Sequence, residues 1–461
     1  MFAFSGLSLG SNSGHNEGTE NEAMSFSRRH FLRVVMTGAA AFPFTKGGLA
    51  VGLVPLAPRV SPPDDALLDE LERAAFDFFW NEADPRTGLI RDRGNADGGG
   101  ARTKASIAAT GFGLTALCIG HQRRFRPRGE IQARVRQTLH YLSHETPTEN
   151  GLFYHFMERN TGTRYKLSEV SPIDTAILLC GALTCREQFS NAEIHRDATT
   201  LYHRVDWNWA MNGGDTFALA WTPEQGFSRF RWDSYCESMM LYLLAMGSPT
   251  HPIPAESWHA VRRPKMVYAG HQYISSPAPL FVHQFSHAWF DFRDKHDEYA
   301  NYFQNSIVAC QAHREFCTSL SHHFPSYSED IWGITASDST RGYVAWGGPP
   351  LLGPIDGSVV PAASAGSLPF LFNESLTVLR TLRSRYEKQT WRKYGFVDAF
   401  NPITGWASKD VLGIDVGISM LMAENARSQH VWNTFMRNPE VEVAMGRAGF
   451  LPDGFEIPVM A

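Results

Sequence analysis

Apolar residues recur every three or four positions along most of the chain from residue 64 onward. In the first such stretch, Leu67, Leu71, Ala74 and Phe78 fall on one face of a helix. Strand-like alternation of apolar and polar residues is scarce, so the pattern predicts an all-α protein. The predicted helices cover residues 64–79, 106–123, 131–143, 172–188, 192–205, 234–244, 279–285, 297–317, 368–385 and 414–427.

The connections between these helices are uneven in length and rich in Gly, Pro, Trp and Tyr, as in residues 221–227 and 346–350. No linker-like change of composition interrupts residues 64–450. Residues 61–461 are therefore expected to form one domain, a toroid of helix pairs with long aromatic-rich loops. In such a toroid the inner helices line a cavity, and the loops at one rim carry the chemistry.

The N-terminal segment has the pattern of an export signal. A serine, Arg28 and Arg29, one further residue and a Phe-Leu pair form the twin-arginine pattern. The apolar stretch that follows contains Pro43 and Lys46, so it is shorter than the ~20 residues of a spanning helix. We therefore expect residues 1–60 to be a twin-arginine signal and a proline-rich linker, and the mature protein to be periplasmic or secreted, without a stable membrane span. The alternative is an ordinary amphipathic N-terminal helix.

Charge and motifs exclude several function classes. Lys and Arg number 42 against 47 Asp and Glu, which gives a net charge of −5 and argues against nucleic acid as a partner. The six cysteines show no metal-ligand spacing with one another or with histidine, and most are expected to be buried free thiols. Nucleotide-binding, zinc-protease and nucleophilic-serine motifs are missing from the sequence, so we expect no cofactor and no metal.

Carboxylates among apolar residues are the remaining candidates for chemistry. Glu237 follows Trp232 and Tyr235 and precedes an apolar helix. Such surroundings disfavour the ionised carboxylate and would help to keep a general acid protonated. The alternative is that Glu237 caps the helix or pairs with Arg231.

Two aspartates occupy comparable positions. Asp174 follows Pro172 and falls in the first turn of a predicted helix, where the helix dipole alone would stabilise it. Asp415 lies in an almost wholly apolar segment, and a buried carboxylate needs a partner or a function. We favour a functional role for Asp415.

A second group of polar and aromatic residues has either a sugar-binding or a purely structural interpretation. Carboxylates, aromatic rings and amides without a cofactor motif point towards glycoside chemistry, in which two carboxyl groups flank the bond that breaks. This group comprises Gln284, His287, Trp289, Asp291 and Arg293, together with Trp332, Asp338 and Asp398.

Several of these segments, in order along the chain, resemble one bacterial family. They are residues 106–114, 171–176, 221–227, 235–250, 284–293, 332–335, 394–401, 414–415 and 424–425. Together they resemble the glucoamylase-like domain of glycoside hydrolase family 144, which includes endo-β-1,2-glucanases. The resemblance implies an (α/α)6 toroid and hydrolysis of β-1,2-glucan, or of β-1,2-gluco-oligosaccharides, with inversion.

The resemblance also implies roles for individual residues. The essential acidic residues of the family fall on Glu237 as general acid, Asp415 as base, and Asp174 as a residue that holds the sugar or tunes a neighbour. From the aromatic and polar residues in and around the matching segments, we expect the substrate to be bound by Trp221, Trp232, Tyr235, Gln284, His287, Trp289, Arg293, Trp332 and Asp398.

Two other functions remain open at this point. Val416 and Ile418 replace a glutamine and a proline that the family usually carries after the aspartate. A β-1,2-glucosyltransferase on the same scaffold, or a glycan-binding protein without turnover, would also fit such a change. In every case the expected partner is a neutral β-glucan or gluco-oligosaccharide, and the expected state is a monomer.

Overall fold

The chain forms fifteen α-helices within residues 60–276, 279–349 and 353–454, the parts that the structure, a computed structural model, describes. Two 3₁₀ turns, Leu280–His283 and Ser286–Ala288, take the place of one further helix. The helices are α1 (Pro62–Asn81), α2 (Ile107–Arg123), α3 (Arg128–His144), α4 (Pro172–Gln188), α5 (Ala192–His203), α6 (Trp207–Met211), α7 (Met239–Gly247), α8 (Glu256–Ala260), α9 (Tyr302–Ser319), α10 (Pro361–Ala365), α11 (Phe372–Arg385), α12 (Glu387–Thr390), α13 (Gly413–Ser428), α14 (His430–Phe435) and α15 (Pro439–Arg447).

Six helical segments form an inner ring: α2, α4, α7, the two 3₁₀ turns, α10 and α13. Helix α2 packs on α4, α4 on α7, α10 on α13, and α13 on α2. The 3₁₀ turns are joined to α7 by the Met240 N–H, which donates to Ser286 Oγ at 3.0 Å. They are joined to α10 by Gln284 Nε2, which donates to the carbonyl of Ala363 at 2.8 Å. Helices α1, α3, α5, α8, α9 and α11 alternate with the ring along the chain, so the predicted (α/α)6 toroid is confirmed.

The two layers follow from the distribution of apolar residues. Helix α4 is buried at every position from Pro172 to Arg186, as expected for an element packed on all sides. Helix α5 buries only one face, which includes Ile194, Ala198 and Leu201. The inner ring is thus built from uniformly apolar helices, and the outer layer from amphipathic ones.

Helices α2 and α4 approach each other closely enough for their backbones to be in contact. Gly111 and Gly181 meet there, and a Cβ atom on Gly181 would overlap the carbonyl of Gly111. Such backbone contact leaves room for no side chain, which explains glycine in the middle of two helices despite its low helix propensity.

We expect Gly181→Ala to lower the free energy of unfolding by about 2–3 kcal/mol, because the backbone of α2 must move away. Gly446→Ala is the matched control, since a Cβ atom there meets nothing within 4 Å. That control should be neutral or stabilising by up to about 1 kcal/mol. Chemical denaturation of both variants checks this, and equal effects would contradict the packing argument.

Short strand pairs connect the loops that lead into the inner ring. The strand Arg93–Asn95 pairs with the strand Asp410–Leu412 directly before α13, and the strand Lys104–Ser106, directly before α2, pairs with the strand Phe156–Glu158. Because these loops bond to one another, the N-termini of the ring helices lie at one end, which we call the N-terminal rim. The strands are β1 (Arg93–Asn95), β2 (Lys104–Ser106), β3 (Phe156–Glu158), β4 (Trp221–Thr222), β5 (Gly226–Phe227), β6 (Lys265–Tyr268), β7 (His271–Ile274), β8 (Lys295–His296), β9 (Ser337–Ser339), β10 (Gly342–Val344), β11 (Trp391–Arg392), β12 (Gly395–Phe396), β13 (Phe400–Asn401), β14 (Trp406–Ala407), β15 (Asp410–Leu412) and β16 (Leu451–Pro452).

Buried ion pairs fasten the ends of the ring at α1, α2 and α13. The carboxylates of Glu72 and Glu424 are fully buried. Arg427 Nη1 donates to Glu72 Oε2 at 2.6 Å, and Arg123 Nε donates to Glu424 Oε2 at 2.8 Å. A buried charge without a partner is costly, so these four side chains make the seam between α1 and α13 specific.

The helices and cysteines predicted from the sequence agree with the structure in most places. Helix α4 has the predicted bounds, whereas the helix predicted over 234–244 begins only at Met239 and the one over 279–285 is a 3₁₀ turn. All six cysteines are buried and free, as expected, and Cys118 Sγ lies 3.5 Å from Cys185 Sγ.

The predicted export signal and nearly all of the linker lie outside the described residues. Within the described ranges, no helix combines the length and the apolar character that crossing a membrane requires.

Candidate functional site

Asp415 and Asp398 form a carboxyl pair at the N-terminal rim. Asp415 lies in the first turn of α13, and Asp398 lies in the loop between β12 and β13. Their side chains share a hydrogen bond, and the two are only 5% and 3% exposed. Burial, Asp415 and then Asp338 raise the pKa of Asp398 well above its usual range. Ionisation of both carboxyl groups at once is therefore disfavoured, because like charges at this separation repel.

Charged residues from distant loops hold this pair in place. The Asp338 N–H donates to Asp398 Oδ2 at 2.6 Å, and Arg93 Nη1 donates to Asp338 Oδ1 at 2.8 Å. Arg102 Nη1 lies 2.8 Å from Asp410 Oδ1, beside Arg93. A small cavity of about 20 Å³ between α1, α10 and α13 is lined by both members of the pair.

A second polar cluster lies around Asp174. Ser171 Oγ donates to Asp174 Oδ2 at 2.5 Å, and His155 Nε2 lies 3.8 Å from the same oxygen. His155 also acts electrostatically on Asp92, whose Oδ2 lies 2.9 Å from Lys104 Nζ. Burial opposes the ionisation of Asp92, but Lys104 and Arg93 lower its pKa to about 2. Polar side chains thus run along the rim from Asp174 towards the Asp398–Asp415 pair.

Glu237 stands on a third member of the ring. It lies two residues before α7, and its backbone carbonyl accepts a hydrogen bond from Ser286 Oγ at 2.8 Å. The residue is 1% exposed, and Trp232 and Tyr235 before it are buried as well. In the order of the ring, α7 follows α4 and is three members away from α13. Glu237 is therefore next to Asp174 along the rim, and it belongs to the ring member opposite Asp415.

The proposed acidic residues thus lie on three different inner elements at one end of the toroid. Their helix N-termini favour negative charge, whereas burial favours the protonated acid. An arrangement that keeps some carboxyl groups protonated and others ionised supports proton transfer to and from a bound molecule.

The remaining predicted site residues lie in more varied places. Trp221 is half-buried in the β4–β5 hairpin and contacts Trp209 edge-on at 5.5 Å. Tyr235 Oη lies 3.1 Å from His283 Nδ1, and Trp232 accepts a bond at its carbonyl from Tyr242 Oη at 2.6 Å. Trp232 and Tyr235 thus precede Glu237 closely in the chain, and Trp221 lies on a separate hairpin.

Four residues predicted to bind substrate are buried and make hydrogen bonds to other parts of the protein. Gln284 donates to the carbonyl of Ala363, and Trp289 Nε1 donates to Thr115 Oγ1 at 2.9 Å. His287 Nε2 lies 3.0 Å from Ser306 Oγ, and burial lowers the pKa of His287 to about 3. The carbonyl of Trp332 accepts from Ser364 Oγ at 2.8 Å.

Arg293 lies at the other end of the toroid. Its guanidinium bonds to Asp291 Oδ2 at 2.7 Å and to Gln429 Oε1 at 3.1 Å, and it stacks over Trp432 at 4.3 Å. Gln429 is the C-terminal cap of α13, so the structure does not bring Arg293 together with Asp415.

Arg93, Lys104, Asp92 and His155 belong to the rim, although the sequence patterns do not identify them. None lies in an amphipathic pattern or a known motif. Arg93 is 245 residues from its partner Asp338. The one local signal is the charged run from Arg91 to Arg93 ahead of an apolar helix, and such runs are also common on ordinary solvated surfaces.

The raised pKa of Asp398 predicts a pH-dependent stability. The folded state binds more protons than the unfolded chain from about pH 4 upward, so the free energy of unfolding falls as pH rises towards the folded pKa. Asp398→Asn removes this contribution, and its stability relative to the parent should grow with pH by up to about 1.4 kcal/mol per unit. Urea denaturation across pH measures it. The exposed Asp97→Asn variant is the control and should run parallel to the parent.

The Glycoamylase family model matches residues 229–439, which include Glu237, Asp398 and Asp415. Among solved structures, a Bacteroides fragilis protein described as a "putative glucoamylase" is 30% identical, with a TM-score of 0.78 over 88% of this chain and 100% of that one. An endo-β-1,2-glucanase from Chitinophaga pinensis, solved with sophorotriose and glucose, is 27% identical, with a TM-score of 0.79 over 84% of this chain and 98% of that one.

A curated relative from Parabacteroides distasonis is an exo-β-1,2-glucooligosaccharide sophorohydrolase acting at the non-reducing end. It is 28% identical over 82% of this chain. The chain spans 57% of the length of that relative.

Proposed function

Since the chain belongs to the glucoamylase-like family, we propose that it is a glycoside hydrolase that cleaves β-1,2-glucan or β-1,2-gluco-oligosaccharides. The named activities of the Chitinophaga and Parabacteroides relatives support the linkage. The observation that carries the proposal is the placement of Asp174, Glu237 and Asp415 on three inner elements at one rim of an (α/α)6 toroid.

The proposed reaction uses two carboxyl groups on opposite members of the ring. Glu237 gives its proton to the glycosidic oxygen, so that the leaving sugar departs as an alcohol. Asp415 takes a proton from water, whose oxygen forms the new bond to the anomeric carbon from the opposite face. The configuration at that carbon is inverted, and the two carboxyl groups exchange protonation states. Asp174 would bind a sugar hydroxyl beside Glu237.

Neighbouring residues support the proposed roles of the base, of the acid and of sugar binding. The raised pKa of Asp398 favours its protonated form, which would leave Asp415 ionised as the base. Trp232 and Tyr235 are buried next to Glu237 in the chain, which supports a low-dielectric environment for the acid. Trp221, on a half-buried hairpin, suits stacking on a sugar ring.

Product analysis of purified protein tests this function. Linear β-1,2-glucan should be shortened, while linear β-1,3-glucan should be left intact. Proton NMR of the first products should show the α-anomer, because inversion of a β-linkage gives it. Products redistributed to longer and shorter chains would instead indicate transfer, and binding without new products would indicate a glycan-binding protein.

We also propose that the protein is exported by the twin-arginine route. The support is the Ser-Arg-Arg-x-Phe-Leu pattern at residues 27–32. In a bacterial host, the double variant Arg28→Lys and Arg29→Lys should leave the protein in the cytoplasmic fraction, while the parent reaches the periplasm. Equal distribution of the two would contradict export by this route.

A further inference from the structure

A cluster of metal-ligating side chains lies between two outer helices, α3 and α5, outside the inner ring. His140 and His144 are one helical turn apart near the end of α3, and both are exposed. Asp197 is on α5 and is 1% exposed. One ligand atom from each of the three residues lies within 4.8 Å of the others.

The second oxygen of Asp197 is an independent indication of a ligand. Oδ1 accepts a hydrogen bond from Arg196 Nε at 2.9 Å. Oδ2 is buried, has no hydrogen-bond partner in the part of the chain that the structure describes, and lies 3.5 Å from His140 Nδ1. Leaving a buried carboxylate oxygen unsatisfied is costly. A cation between Asp197 and the histidines would satisfy it.

The distances suit a tetrahedral ion. Two ligands bound about 2.0–2.1 Å from zinc at the tetrahedral angle are about 3.4 Å apart, close to the 3.5 Å between His140 Nδ1 and Asp197 Oδ2. His144 Nδ1 lies 3.0 Å from the carbonyl of His140 and 2.7 Å from Ser143 Oγ, and a proton on Nδ1 donated to that carbonyl would leave Nε2 for the metal. The exposed rings can turn to close the remaining gap.

We propose that His140, His144 and Asp197 bind one divalent transition-metal ion, for which Zn²⁺ is the fitting probe. Two imidazoles and one carboxylate suit zinc, whereas Mg²⁺ and Ca²⁺ select oxygen ligands. Water would complete the fourth position. The ion joins α3 to α5 and so clamps two neighbouring outer helices of the toroid.

Two arginines beside the cluster bear on its affinity. Arg196 holds the other oxygen of Asp197, and Arg204 donates to the carbonyls of Leu142 and Ser143 at the end of α3. Both are cations, so the site should bind more weakly than one with four protein ligands. The sequence pattern predicts no metal because the third ligand comes from a different helix and only the fold brings it beside the two histidines.

Calorimetric titration of chelator-treated full-length protein with ZnCl₂ tests the proposal. The parent should bind one equivalent, and the double variant His140→Ala with His144→Ala should bind at least tenfold more weakly. His195→Ala removes an exposed histidine of the same α5 helix and is the matched control; it should bind as the parent does. Equal Zn²⁺ binding by the parent and the double variant would overturn the proposal.

A second measurement separates metal binding from loss of fold. Zn²⁺ should raise the melting temperature of the parent and of His195→Ala, but not that of Asp197→Asn. The melting temperature of Asp197→Asn without metal shows whether this variant is folded. Visible absorption of bound Co²⁺ should show four-coordinate geometry in the parent, and an octahedral spectrum identical to that of Co²⁺ in buffer would count against the site.

Discussion

Replacing Glu237 with glutamine is expected to lower kcat on β-1,2-glucan by about 10³-fold while the protein stays folded. Glutamine has the same shape but cannot supply a proton to the leaving oxygen, and general acid catalysis typically contributes about 10²–10⁴-fold. Because Glu237 is only 1% exposed, water or buffer is a poor replacement for it as the proton donor. Steady-state rates of glucan shortening check the prediction, with the exposed Glu130→Gln as control.

A substrate with an activated leaving group tests the acid role itself. On an aryl β-sophoroside the leaving phenolate needs little protonation, so Glu237→Gln should lose much less activity than on glucan. An equally large loss on both substrates would assign Glu237 a different role. Unchanged cleavage of glucan would remove it from the mechanism altogether.

Replacing Asp415 with asparagine is expected to reduce cleavage at least as strongly. The amide cannot accept a proton from the attacking water, and no change of leaving group compensates for a missing base. Asp415→Asn should therefore stay inactive on the aryl β-sophoroside that restores Glu237→Gln. This contrast between two variants distinguishes acid from base.

The neighbour of Asp415 supplies a further check on the base. Asp398 shares a hydrogen bond with Asp415, and an asparagine at 398 can still donate one. Asp398→Asn should thus retain more activity than Asp398→Ala. The exposed Asp97→Asn serves as a control for the loss of one carboxylate.

Full activity of Asp415→Asn would show that another residue activates the water.

The proposed acidic residues could be located from the sequence because their signal is local. Asp174 and Asp415 each lie in the first turn of an apolar helix, and Glu237 comes just before one. In a helical toroid the N-termini of the inner helices lie at one rim. A carboxylate at the start of an inner helix is therefore expected near the other such carboxylates. The periodicity of apolar residues is also a local signal, and it was sufficient to predict the helix-pair architecture.

The side-chain positions in the segment from Gln284 to Arg293 could not be predicted from the local sequence. Its alternating polar and aromatic residues are equally compatible with a sugar-binding edge and a salt-bridged turn. The structure has consecutive 3₁₀ turns there, which send Gln284 towards α10 and Arg293 towards the C-terminal end of α13. Arg93 and Asp338 meet only through tertiary contacts, so no pattern in the sequence identifies them as a pair.

The seam between α1 and α13 has a consequence for how the chain reaches its fold. The bond from Arg427 to Glu72 joins residues 355 positions apart, and the bond from Arg123 to Glu424, which links α2 to α13, joins residues 301 positions apart. Until α13 is synthesised, the apolar inner face of α2 lacks one of its neighbours and remains available for aggregation. Ring closure over so long a segment is entropically slow. Once the seam has closed, spontaneous opening must expose buried ions as well as apolar surface, so the finished toroid should persist kinetically longer than its equilibrium stability suggests.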